Sequence, residues 1–221
     1  MKTEIKNATS FATLFVTLAP GETVVAEAQA MASRSSHLHM TTHFAGGLFR
    51  ALIRRFLGKE SLFVNHFTCP QGALEGEVVL TQPFLGDMLK IDLNDDSICL
   101  QPGAFVACGS GVRLRVNWAG FASFFNGDGL FRLEASGVGP LWVGGFGGIS
   151  VREMDGEFVV DSGHLLGYAP TVGLSMALAG GIFSSFFGGE GIVTKLRGRG
   201  RVLLQSRSLK GMAHWTNGYL T

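Results

Sequence analysis

Apolar and polar residues alternate along most of this chain in short, frequently interrupted runs. Residues 14–18 read as a strand, followed by a Pro20-Gly21 turn and a second strand from Thr23. Residues 36–44 keep a period of two, which places His37, His39, Thr41 and His43 on one strand face. After Gly46-Gly47 the period changes. Phe49, Leu52, Ile53 and Phe56 then stand at i, i+3, i+4 and i+7, predicting a helix over 48–57 with Arg50, Arg54 and Arg55 elsewhere around its cylinder. Residues 62–67 and 76–81 read as strands separated by a Pro70-Gln71-Gly72 turn.

This syntax restarts twice. The second unit has strands at 98–100, 105–108 and 112–118, and a shortened equivalent of the helix at 120–126. Further strands at 130–133 and 141–143 flank a Gly137-Val138-Gly139 turn. A third unit restarts at Phe158, turns at Ser162-Gly163 and runs to Gln205. A Gly-acid-Gly motif marks the copies: Gly127-Asp128-Gly129 matches Gly189-Glu190-Gly191, and Gly58-Lys59-Glu60 is the looser first version. The units span about 14–92, 97–152 and 157–209, with a tail over 210–221. One such unit cannot bury its apolar faces alone. Three packed about one axis predict an all-β, pseudo-threefold pseudobarrel or sandwich, closed or nearly closed, in a single domain over 1–221. The tail is expected to dock outside or to contact another copy.

Composition narrows the class. With 46% hydrophobic and 16% charged residues over 221 positions, the chain buries a large core and is not disordered. A net charge of +1 gives no global attraction to nucleic acid or membranes, so any such contact needs a local patch. Cys69, Cys99 and Cys108 share no CxxC spacing and read as buried hydrophobes in a reducing, cytoplasmic compartment. Glu4, Thr13 and Thr17 argue against a secretion signal at the N-terminus. Residues 162–189 lack Asp, Glu, Lys and Arg, as a membrane span would. However, a shift of 62 lays Leu174, Met176 and Leu178 over Val112, Leu114 and Val116, so a strand with both faces covered is expected instead.

The three units, the turn before each middle strand, the Gly-acid-Gly motif and the ending Gly198-Arg199-Gly200-Arg201-Val202-Leu203-Leu204-Gln205 together resemble one family. It is the Altered Inheritance of Mitochondria 24 family, once catalogued as domain of unknown function 124, and the resemblance covers about residues 10–210. It implies an all-β pseudobarrel similar to the tryptophan RNA-binding attenuation protein. It also implies bacterial members without an assigned activity and mitochondrial members linked to inner-membrane organisation. Family members carry Gly-Pro-Gly before the last strand, where this chain has Gly198-Arg199-Gly200. RNA binding does not carry over from a fold.

Three groups of residues suggest chemistry. His37, His39 and His43 would supply three imidazoles to a catalytic zinc or a non-haem metal. Strand residues two apart stand about 7 Å from each other, so His43 joins the others only across a bend or bulge; a solvated strand face is the plain alternative. Glu60, Asp128 and Glu190 at equivalent turns would share a proton or a cation about one axis, but repetition at a turn favours capping of local backbone N–H groups. Lys195, Arg197, Arg199 and Arg201 alternate, with Gly198 and Gly200 expected to form a turn that splits them between two strands. With Arg50, Arg54, Arg55, Arg207 and Lys210 they would form a patch for RNA or anionic lipid. The absence of interleaved aromatics argues against nucleic acid.

No phosphate loop or nucleophile elbow stands out, so no catalytic residue and no cofactor are assigned. The sequence thus points to a non-catalytic interaction or scaffolding module, either a homo-oligomer or bound to a protein partner, with an anionic membrane surface as a further partner. The alternatives are a metal-dependent enzyme at the histidine face and RNA or phosphate binding through the basic last unit.

Overall fold

In a computed structural model of the protein, which describes residues 1–44, 63–118, 131–178 and 192–217, the alternating runs become strands β1 to β15 and one helix. The first seven strands are β1 (Lys2–Lys6), β2 (Thr13–Leu18), β3 (Thr23–Glu27), β4 (Met31–Arg34), β5 (His39–Phe44), β6 (Phe63–Thr68) and β7 (Gly76–Leu80). Then come β8 (Met88–Leu100), β9 (Phe105–Gly109), β10 (Val112–Trp118), β11 (Phe131–Gly144) and β12 (Ile149–Asp161). A 3-10 turn over Ser162–His164 leads to β13 (Leu165–Tyr168), β14 (Val172–Leu178), β15 (Ile192–Gln205) and helix α1 (Leu209–Asn217). The protein is all-β, as its pattern predicts.

Two sheets form. The smaller runs β1-β2-β7-β4; the larger runs β12-β15-β13-β8-β11-β9-β3-β6-β5, with β10 paired to β11 and β14 to β15. Alternation in β2 points Leu14, Val16 and Leu18 inward, where they pack with Phe67, Val106 and Trp142 of the larger sheet. A second core gathers Ile98, Leu100, Phe105, Leu133, Leu141 and Leu203. Strand β9 is buried along its whole length because it stands between these two cores, giving Val106 to one and Phe105 to the other.

Three hairpins recur: β5 with β6, β10 with β11 and β14 with β15. The second arm of each also pairs with a strand earlier in the chain: β9 and β13 directly precede their hairpins, while β4 intervenes between β3 and the first. Among the described residues the larger sheet has two ends, β12 and β5, rather than the closed or nearly closed path expected from sequence.

Several expectations need correction. Neither Gly137-Val138-Gly139 nor Gly198-Arg199-Gly200 is a turn: β11 and β15 run straight through them. Gly137 and Gly198 hold φ of +119° and +131°, and a Cβ on either would come within 2.5 Å of the Gly111 or Thr171 carbonyl oxygen. Glycine there lets a neighbouring backbone approach the strand. His37 lies in the turn before β5, not on the strand. Strand β14 starts at Val172, two residues earlier than the 62-residue shift places it, and Gly173, Leu174 and Ser175 are exposed rather than covered. Strands β1 and β4 and helix α1 were not anticipated by the pattern. Among the described residues, no helix is long and apolar enough to cross a membrane.

Candidate functional site

The four alternating cations of the last unit lie on one continuous strand, and the neighbouring strand neutralises most of their charge. Register between β12 and β15 sets Arg197 opposite Glu157, Arg199 opposite Asp155 and Arg201 opposite Glu153. The corresponding Nε-to-oxygen distances are 2.8, 3.8 and 3.5 Å. Lys195 stands opposite Val159 instead. Odd-numbered residues of both strands share a face, so the period of two brings the two charge series together. Phosphate binding along this stripe would first have to displace three carboxylates. Arg207 is exposed beyond the end of β15, away from this ladder. Arg50, Arg54, Arg55, Glu60, Asp128 and Glu190 lie outside the described residues.

The even-numbered face of the same two strands is different. A shallow groove of about 680 Å³ is lined there by Arg152, Phe158, His164, Ser150, Ser206 and Leu204, with no carboxylate among its described lining residues. The Arg152 guanidinium sits 5.5 Å from the Phe158 ring centre, a cation–π contact. His164 Nδ1 donates to the Gln205 carbonyl at 2.9 Å, and among the described residues Nε2 has no hydrogen-bond partner.

His164 also belongs to the 3-10 turn against which α1 packs. That helix starts because Ser208 caps it, its hydroxyl accepting from Gly211 N at 2.9 Å while its carbonyl accepts from Met212 N at 3.0 Å. Leu209 and Met212 are each 48% exposed and Trp215 is 65% exposed, at a spacing of three that keeps them on one side. The Ser208 cap was the available signal for this helix in the sequence.

The proposed trio of histidines is not assembled. His37 Nε2 bonds the Leu74 carbonyl at 3.2 Å from its turn, while His39 and His43 stand at opposite ends of β5, facing Thr68 and Val64. Among the described residues, no group of three or more His, Cys, Asp or Glu side chains is placed to hold a metal. Instead, His43 meets His66 of β6, which sequence reasoning missed. Their ring centres are 4.6 Å apart with planes inclined at 63°. Burial lowers the pKa of His66, and the neighbouring His43 lowers it further.

Each of the three thiols is buried. Burial pushes Cys108 up to about 12, so almost no thiolate forms there at neutral pH.

Comparison with known proteins adds a lineage. The model of a family described as Mitochondrial biogenesis AIM24 matches residues 3–207, a span that stops short of α1. An uncharacterised protein of Streptococcus pyogenes serotype M6 is 27% identical over 178 residues, covering 79% of this chain and 71% of that one. A Streptococcus pyogenes protein solved by X-ray crystallography superposes with a TM-score of 0.78 at 23% identity, over 99% of both chains. At that identity the likeness is one of fold.

Proposed function

The chain belongs to the mitochondrial biogenesis AIM24 family, and we propose that it acts as a non-catalytic interaction module that docks on an anionic membrane surface through α1 and the groove beside it. The carrying observation is the apolar side of α1, where Leu209, Met212 and Trp215 remain largely exposed. A short helix with such a side lies in the headgroup region of a bilayer, with its apolar residues at the acyl boundary. Arg152 in the wall of the adjacent groove supplies the cation for a headgroup phosphate. The recurring pairing of β3, β9 and β13 with the hairpin that follows each supports a pseudo-threefold body as the rigid platform.

The ladder of Arg197, Arg199 and Arg201 speaks against RNA as the main partner, because its carboxylates already satisfy it. The test is co-sedimentation of the full chain with phosphatidylcholine vesicles, with and without phosphatidylglycerol, at low and high salt. Binding only to the anionic vesicles, weakened by salt and lost on combined Leu209→Ser, Met212→Ser and Trp215→Ser substitution, is expected. Equal binding by the substituted chain would remove α1 from the contact. Concentration-dependent self-association that the same substitutions abolish would assign α1 to a second copy instead.

A further inference from the structure

We propose that His43 and His66 form a two-imidazole chelate for a divalent transition-metal ion of borderline softness, of the Zn²⁺, Ni²⁺ or Cu²⁺ type. This site stands apart from α1 and its groove and does not depend on membrane docking. The two residues come from adjacent strands of one hairpin: Thr41 faces His66 and His43 faces Val64, so the imidazoles are diagonal neighbours on one face. A metal–nitrogen bond of about 2.0–2.1 Å puts the centres of two imidazoles on neighbouring positions of one ion roughly 4.5–5.2 Å apart. The observed 4.6 Å falls within that span, so the ring separation already matches that of a chelating pair.

The surroundings hold the two rings in place. His66 is on a strand held from both sides, by β3 and by β5, which fixes the position of its Cβ. His43 Nε2 is 3.1 Å from the Thr41 hydroxyl; with that nitrogen donating to Thr41, the Nδ1 lone pair becomes the ligand. Imidazole donors suit these ions, whereas the hard oxygen-seeking cations would find too few oxygens. Two protein ligands leave positions for water or a donor from another molecule.

The experiment uses the full chain without a histidine tag, stripped with a chelator and titrated with CuCl₂. Calorimetry should give one ion per chain, and electron paramagnetic resonance should show coupling to two imidazole nitrogens. His43→Ala and His66→Gln should each abolish that site, His37→Ala should leave it intact, and Thr41→Val should weaken it about 10–100-fold. Absence of binding by the native chain, or an unchanged site in either histidine variant, overturns the proposal. So does loss of the site in His37→Ala. If His66→Gln fails to fold, His43→Ala decides alone, because His43 is exposed and its truncation leaves the core untouched.

Discussion

Arg197 and Glu157 face each other across β15 and β12, Nε to Oε1 at 2.8 Å, and open a ladder that Arg199–Asp155 and Arg201–Glu153 continue. Its members are exposed, so each pair contributes only about 0.2–1 kcal/mol and mainly fixes which charges the surface displays.

That ladder makes a first prediction about partners. The combined substitutions Glu153→Gln, Asp155→Asn and Glu157→Gln should uncover Arg197, Arg199 and Arg201. The resulting chain should bind polyanions such as heparin or single-stranded RNA, with affinity falling steeply as salt rises. The native chain should bind them weakly through this face. Fluorescence titration at two salt concentrations distinguishes these outcomes, and strong native binding through β15 would contradict the neutralised ladder.

Gly86 sits where the two sheets meet, bridging Phe11 on one side and Gly147 on the other. A Cβ at this position would lie 1.9 Å from the Gly145 carbonyl oxygen and 2.6 Å from Gly147 N. Both are backbone atoms and cannot rotate away. Gly86→Ala should therefore cost about 1–3 kcal/mol or more, read from urea unfolding midpoints. A neutral result would mean that this close approach is not present in solution.

The thiols should be silent in the folded protein. Cys69, Cys99 and Cys108 are each within 1% of complete burial. A thiol reagent at mildly alkaline pH should label none before unfolding and all three after it. Cys108 also sets an alkaline limit. Its folded pKa is about 12 against an ordinary value of 9.0, so its contribution to stability is complete below about 9 and is lost as pH rises toward about 12. Cys108→Ala should lessen that loss.

His66 sets the corresponding acid limit. Burial, and then the proximity of His43, lower its folded pKa below the ordinary value of 6.5. Protonation therefore favours the unfolded chain. Stability is complete above about 6.5 and falls as pH drops through the folded value. His66→Gln should remove this component from the dependence of Tm on pH while leaving other acid effects in place. An identical slope in both chains would show that His66 titrates normally.

Residue order alone carries the local properties of the chain. A period of two is a property of neighbouring residues, so the all-β class, the inward side of β2 and the burial of the cysteines were legible from residue order. So was the family, because its motifs are contiguous. Which strands pair, and in what register, depends on long-range packing. Gly137 and Gly198 carry turn-like sequence signals, yet the Gly111 and Thr171 carbonyls pack against them and each strand continues. Arg197 read alone suggests a phosphate site, but Glu157, 40 residues away, closes it, as the register of β12 on β15 requires. The same limit hid His66. Its contact with His43 depends on cross-strand pairing between residues 23 positions apart, and no local periodicity encodes that pairing.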